Sequence, residues 1–395
     1  MRILIIVDDY MPHSIKIAAK MMHQLACEFV SQGDSVSVLT PDSTIEKDFE
    51  KSELDGVNIY RFKSGTIKNT SQVKRAINET LLSYRAWKHG KEFFKNNKHE
   101  LIIYYSPTIF FGALVYKLKK IWDAKSYLVL RDFFPQWTID NKILHKNSPI
   151  TYYFKFFEKL NYLSADTIGV MSEKNLEWFK EYYKTEKKIE VLYNWTDMPE
   201  RKKSKNIYRK KLALEEKIVF FYGGNMGQAQ DMLNIVRLAK NMQNEVDAHF
   251  LLVGTGDEVL LVKEAIEKQN LTNITLLPSV NQEEFLQMLD EFDIGLFTLN
   301  QNHTTHNFPG KLLGYMSHDL AILGSVNKNN DLKNIIDEYS AGAISINPDD
   351  ESFYINGKKL LDSTYRKTLC INAKKLLNEK FLTKSALKQI LKSVE

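Results

Sequence analysis

Two α/β halves, each a parallel sheet flanked by helices, are what this sequence of 395 residues predicts. Three observations carry that prediction. Short apolar runs alternate with helical stretches almost throughout, the pattern of strand–helix–strand units in parallel sheets. The alternation restarts near residue 217, after TDMPERKKSKNI (196–207), a polar and basic stretch containing Pro199 that reads as a linker. The length is too great for one ordinary core and suits two of under about 200 residues each.

The elements follow in order. RILIIV (2–7) is apolar enough for a buried strand, KIAAKMMHQLACEFVSQ (16–32) has helical periodicity and stops at Gly33, and SVSVLT (35–40) returns as a strand. LIIYYSPTIFFGALVY (101–116) is uncharged but broken by Ser106-Pro107, and at 16 residues it falls short of the ~20 a spanning helix needs. A buried strand followed by a helix opening at Pro107 is expected instead. The second half starts with strand KIVFFY (217–222), loop GGNMG (223–227), a helix over 228–243 and strand HFLLVG (249–254). Further strands are expected near 274–277, 293–298, 320–324 and 342–346. The boundaries are then 1–195 for the first half, completed by a terminal helix at 380–395, and 208–379 for the second. Two such Rossmann-like halves would face a central cleft with the C-terminal edges of their sheets, where ligands bind.

Composition narrows the function. Apolar residues make up 44% and charged residues 26%, values of a globular protein rather than a disordered one. The formal charge of +5 is too mild to suggest nucleic-acid binding. Cys27 and Cys370, the two cysteines, have no metal-type spacing and suit a reducing compartment. The opening MRILIIVDDY is too short for a signal-peptide core.

Several motifs carry chemistry. In FYGGNMGQAQ, Gly223, Gly224 and Gly227 allow a tight turn and close backbone approach to an anion, with Asn225 between them. Pro309 suits the first turn of a helix, and Lys311 just inside it is by itself either a solvated surface lysine or an ammonium group for an anion; joined to the glycine loop in the same half, the two read as a diphosphate site. His303 and His306 form H-x-x-H, but no third ligand stands nearby, so no metal is expected; a hydrogen bond to sugar or phosphate fits better, and plain loop polarity better still. Arg131-Asp132 closes the apolar run YLVLRD, where Asp132 serves either as a base in a site or as one half of an ion pair. Asp8 and Asp9 pose the same alternative after the first strand. SPITYYFKFFEKLNYLS (148–164) mixes aromatics with Lys155 and Lys159, a pattern of core packing or of a face lying on anionic lipid.

With these residues in view, the chain resembles the family-4 glycosyltransferases of the GT-B fold. ADTIGVMSEKNLEWF, VLYNWTD, FYGGNMGQAQ, FLLVGTGDEVLLVKEAI, DIGLFTL and PGKLLGYMSHDLAILGS are similar to six of that family's landmarks, in family order. RDFFPQW resembles the WbuB-like branch of O-antigen and capsule amino-sugar transferases, among them L-fucosamine transferases.

The resemblance implies a UDP-sugar donor with an N-acetylated sugar such as L-FucNAc. It implies a polyprenyl-diphosphate saccharide acceptor, no separate cofactor, and peripheral attachment at the cytoplasmic face of a bacterial inner membrane. Gly223, Gly224, Asn225, Gly227, Pro309, Gly310 and Lys311 would hold the donor diphosphate, and Asp132, Lys311 and His306 would act in transfer. One departure stands out. The family often places two glutamates eight positions apart, and here His306 and Gly314 occupy those sites. Their loss also suits a non-catalytic partner subunit of a glycan-assembly complex, or an epimerase of the same fold.

Overall fold

The computed structural model describes residues 1–394 apart from 15, 68–69, 141, 185, 199–205, 303–309 and 329. The chain forms two compact units, residues 1–194 with 383–395, and residues 195–382.

The first unit carries β1 (Arg2–Ile6), β2 (Ser35–Asp42), β3 (Phe49–Leu54), β4 (Val57–Lys63), β5 (Leu101–Ser106), β6 (Lys125–Leu130), β7 (Thr167–Val170) and β8 (Lys188–Val191). They form one sheet in the order β3-β4-β2-β1-β5-β6-β7-β8. Its central strands lie under helices on both faces, which is why they are apolar without alternation. Every residue of β5 is buried, as is every residue of β1 after Arg2. The helix Ile17–Ser31 buries Met22, Leu25, Ala26 and Phe29, an i, i+3, i+4, i+7 stripe that holds it to the sheet. Truncating Phe29, fully enclosed, to alanine would cost about 3–5 kcal/mol.

The pairing is parallel except at β3–β4, an antiparallel edge hairpin that departs from the all-parallel expectation. Its turn is Asp55-Gly56, both in the left-handed region at φ 51° and 77°, the geometry of the two-residue turns that match strand twist. The Asp-Gly pair between FEKSEL and VNIYRFK was a readable hairpin signal. A second difference lies after β5, where the helix spans Gly112–Trp122 rather than opening at Pro107. Ile109, Phe110 and Phe111 are all buried, and three successive residues cannot share one face of a helix.

The second unit carries β9 (Ile218–Asn225), β10 (Ala248–Thr255), β11 (Ile274–Leu277), β12 (Ile294–Thr298), β13 (Ala321–Val326) and β14 (Ala343–Ile346), ordered β11-β10-β9-β12-β13-β14. Phe220, Tyr222, Phe250, Leu252, Leu296 and Leu323 lie in its core. The helix expected from 228 starts at Met232 and is preceded by a short 3-10 turn, Gln228–Gln230. Asp231 between them is left-handed at φ 47°, which interrupts helical continuity. The terminal helix Thr383–Val394 belongs to the first unit, where Ile390 is fully buried and Ser393 Oγ donates to Glu190 at 2.6 Å.

Each sheet has one place where strand order reverses, β1/β5 in the first and β9/β12 in the second. Loops leaving such a pair run to opposite sides and open a crevice at their C-terminal ends. Asp8 and Asp9 follow β1. The glycine loop ends β9, and Lys311 lies beyond β12.

Candidate functional site

In the second unit, β9 runs on through Gly223 and Gly224 to Asn225, in register with Val253, Gly254 and Thr255 of β10. Two glycines make this closeness possible. Gly224 sits at φ 127° and Gly256 at φ 151°, and a Cβ on Gly256 would come within 2.2 Å of the Met226 carbonyl oxygen. The loop therefore has a partner, the Gly254–Gly256 turn, which sequence reasoning did not place in the site. Its G-x-G after an apolar strand was the available signal.

Much of the loop is tied to the protein itself. Met226 N donates to Thr255 O at 2.8 Å, and Gly227 N to Gln230 Oε1 at 3.1 Å. Asn225 Nδ2 donates to the same Gln230 oxygen at 3.0 Å. Met232 N, the amide opening the next helix, donates to Glu258 Oε2 at 3.1 Å. The expected open row of helix-opening amides is thus partly occupied.

Lys311 begins the short helix Lys311–Ser317. Its ammonium lies 3.5 Å from the centre of the Tyr222 ring, and a Cβ on Gly224 would stand 3.7 Å from it. Among the described residues no carboxylate comes within ion-pair distance. Burial without an anion pushes its pKa down to about 7 from an ordinary value of 10.5. One turn further, Tyr315 accepts from Gly223 N at 3.4 Å and donates to Leu296 O at 2.9 Å, fixing this helix against β9 and β12. Neither tyrosine was legible as part of the site, because their register to Lys311 exists only once the sheet is formed.

Gly310 precedes Lys311 with helical angles, φ −58° and ψ −26°. Pro309, His303 and His306 lie outside the described residues. At Gly314, a Cβ would sit 3.6 Å from Leu289 Cδ1, an ordinary contact, so packing does not require a glycine there. Asn300, just after β12, donates through N to Ala229 O at 3.0 Å and through Nδ2 to Gln228 O at 3.1 Å. These bonds bring the end of β12 against the turn that follows the glycine loop.

In the first unit, Asp132 follows β6 and is half-buried. Desolvation pushes its pKa up to about 6, although the Phe133 amide and the Trp137 side chain hydrogen-bond to it and oppose the rise. The alternative of an Arg131–Asp132 pair is not what forms. Arg131 directs its guanidinium to backbone carbonyls, Nη2 to Tyr193 O at 3.2 Å and Nη1 to Leu130 O and Gly169 O at 3.5 Å each. Asp9 accepts from Ser14 Oγ at 2.8 Å and pairs with Lys16 at 3.4 Å. Asp8 has its pKa raised by burial.

The aromatic segment divides between the two expected readings. On the helix Pro149–Ser164, Phe154 and Phe157 pack on the core, while Tyr152 and Phe156 are 64% and 62% exposed. Lys155 is drawn inward to Glu158 at 2.9 Å, and Lys159 faces solvent. Among the described residues no helix is long and apolar enough to cross a membrane. One group of metal-type donors occurs there too, His23, Cys27 and Asp55, with ligand atoms within 4.8 Å of one another. His23 is already held by Tyr10 at 2.8 Å and by Asp55 at 3.0 Å, an ordinary hydrogen-bond chain.

No family model matches the chain. It is 25% identical over 221 residues to the probable glycosyltransferase WbjE of Pseudomonas aeruginosa, an alignment spanning 55% of this chain and 55% of that one. The chain thus matches about half the length of this curated relative. Among solved structures, WaaG, a glycosyltransferase involved in lipopolysaccharide biosynthesis, superposes with a TM-score of 0.65 at 14% identity, covering 99% of both chains. Anabaena HepE in complex with UDP gives 0.66 at 13% identity, covering 100% of this chain and 99% of that one. Two units built on mainly parallel sheets over the full length, shared with these neighbours, give this chain the GT-B fold.

Proposed function

We propose that the chain is a glycosyltransferase of glycan assembly that takes its sugar from a nucleotide diphosphate. The observation that carries this reading is Lys311, whose ammonium is desolvated, lacks an anion among the described residues and stands beside Gly224 at the reversal point of the second sheet. A buried cation without a counter-charge is costly, and a diphosphate supplies that charge in a geometry a glycine turn can approach. The HepE neighbour was solved with UDP, which supports a uridine donor here.

Asp132 is the proposed base, since a carboxyl with a pKa near 6 can be ionised at neutral pH and still exchange a proton readily. Catalysis would rest on positioning and on leaving-group charge stabilisation by Lys311. The resemblance to amino-sugar transferases extends the proposal to a UDP-linked N-acetylamino sugar of the L-FucNAc kind and a polyprenyl-diphosphate saccharide acceptor. Exposed Tyr152 and Phe156 with Lys159 then provide a face for an anionic membrane at which that acceptor lies.

Calorimetric titration with UDP tests the donor half directly. Binding that weakens at least tenfold in Lys311→Met supports it, and a folded wild type that binds no UDP, GDP or dTDP refutes it. One observation favours the second reading, a non-catalytic partner subunit: Gly314 stands where a glutamate is common, although packing would admit a side chain. Sugar transfer by the purified protein alone excludes that reading.

A further inference from the structure

The first unit holds a cavity of about 410 Å³ at the C-terminal ends of β1, β2 and β4, lined by Asp8, Asp9, His13, Thr40, Asp42 and Arg61 among others. That volume falls in the range of small-ligand sites. Most of its charged groups are already satisfied. Asp9 is held by Ser14 and Lys16. Asp42 takes His13 Nδ1 at 2.9 Å, Arg61 Nε at 3.7 Å, and both the amide and hydroxyl of Thr44. Arg61 also donates to Ser52 Oγ at 2.7 Å and Met11 O at 2.8 Å.

Two groups on adjacent strand ends are not. Thr40 is 2% exposed, and its hydroxyl has no hydrogen-bond partner among the described residues. The Asp8 carboxyl takes a hydrogen bond from its own backbone amide and feels the charge of Lys16, but among the described residues no side chain hydrogen-bonds to it and no cation lies within ion-pair distance. The backbone brings them together, because Val7 N donates to Leu39 O and sets Asp8 beside the end of β2. An orphaned hydroxyl beside a carboxyl that takes no side-chain hydrogen bond leaves a hydrogen-bonding deficit that a ligand can fill.

We propose that this pocket seats one uncharged, hydroxyl-rich sugar unit of the acceptor, with Asp8 accepting from and Thr40 bonding to its ring hydroxyls. The proposal rests on the glycosyltransferase reading and adds to it the chemistry of the acceptor. Neighbouring hydroxyls on a ring offer donors to a carboxylate and an acceptor to a threonine, which water satisfies less specifically. The unit carries no carboxylate or phosphate. Asp9 is paired with Lys16 and Asp42 with Arg61, and burial raises the Asp8 pKa, so among the described residues no lining cation is left to pair with an anion placed there.

Ligand-observed NMR with methyl glycosides of glucose, N-acetylglucosamine and glucuronic acid tests this on the wild type, Thr40→Val and Asp8→Asn, with UDP affinity measured on the same samples. The expected result is saturation transfer to at least one neutral glycoside, at least fivefold weaker in both variants, none to the glucuronide, and unchanged UDP affinity. Thr40→Val removes an unpartnered buried hydroxyl at nearly constant shape, so its melting temperature should match or exceed that of the wild type, and lost binding there reports the ligand contact. Neutral glycosides binding both variants as well as wild type overturn the proposal, as does a glucuronide that binds equally well. Failure of every glycoside while UDP still binds overturns the pocket assignment alone. Failure of UDP overturns the underlying function.

Discussion

Lys311 gives the sharpest prediction, because the same burial on which its proposed ligand role rests also makes it a liability. Its pKa is pushed from 10.5 to about 7, and at about 1.36 kcal/mol per tenfold change this corresponds to roughly 5 kcal/mol of unfavourable desolvation as an upper bound. The sign follows from proton counts. Between pH 7 and 10.5 the unfolded chain binds this proton and the folded one does not, so the stability lost to Lys311 is fully lost below pH 7 and recovered as pH rises toward 10.5.

Lys311→Met, which keeps the stem and removes the charge, should therefore raise the melting temperature of the unliganded protein at pH 6. A diphosphate reverses the balance by supplying the missing anion. At pH 8 nine in ten Lys311 side chains are neutral before UDP arrives, from a pKa of about 7, so binding should take up nearly one proton. The last UDP phosphate ionisation, near pH 6, is complete by then. Calorimetry in two buffers of different ionisation enthalpy reads that uptake directly. UDP affinity should fall from pH 7 to 9 by up to about tenfold per pH unit, and Lys311→Met should flatten the profile and weaken binding at pH 7 by about 10–150-fold, the scale of a charged hydrogen bond. A pH-independent affinity over that range, or a variant that binds UDP normally, refutes the reasoning.

Other outcomes follow from single residues. Asp132→Asn should lower turnover about a hundredfold or more while leaving UDP affinity unchanged, and the wild-type rate should decline as pH falls through about 6, where the carboxylate takes up its proton. Steady-state rates across pH with a lipid-linked acceptor check both. Gly256→Ala should abolish UDP binding, since its Cβ would collide with the Met226 carbonyl at φ 151°, and a fold check by circular dichroism separates this from global unfolding. Glu291, buried, accepts from the amides of Ile207, Tyr208 and Arg209 at 2.7, 2.8 and 3.0 Å. Glu291→Ala should cost about 2–4 kcal/mol in denaturant unfolding, because three donors lose their partner at once. Replacing Tyr152 and Phe156 with serine should reduce sedimentation with vesicles rich in anionic lipid and leave UDP binding intact.

Features that depend on local pattern are legible in the amino-acid order alone. Unalternated apolar runs such as ILII and LIIYY are stable only when sandwiched on both faces, so they announce parallel sheets without reference to any distant segment. Glycines 223, 224 and 227 at a strand end mark a tight turn there, the place proposed for the donor. Whatever depends on which distant segments meet is settled by the tertiary fold. Helix periodicity says nothing about Tyr222 lying beneath the Lys311 ammonium, since 89 residues separate them and only the β9–β12 pairing brings them together. The same holds for Arg131, whose adjacency to Asp132 suggested an ion pair. The carbonyls of Gly169 and Tyr193 claim its guanidinium instead, and Asp132 is left to be shaped by burial. Local pattern reports which groups prefer to be buried, and only the packed chain shows which of those groups remain without a partner and so are open to a ligand.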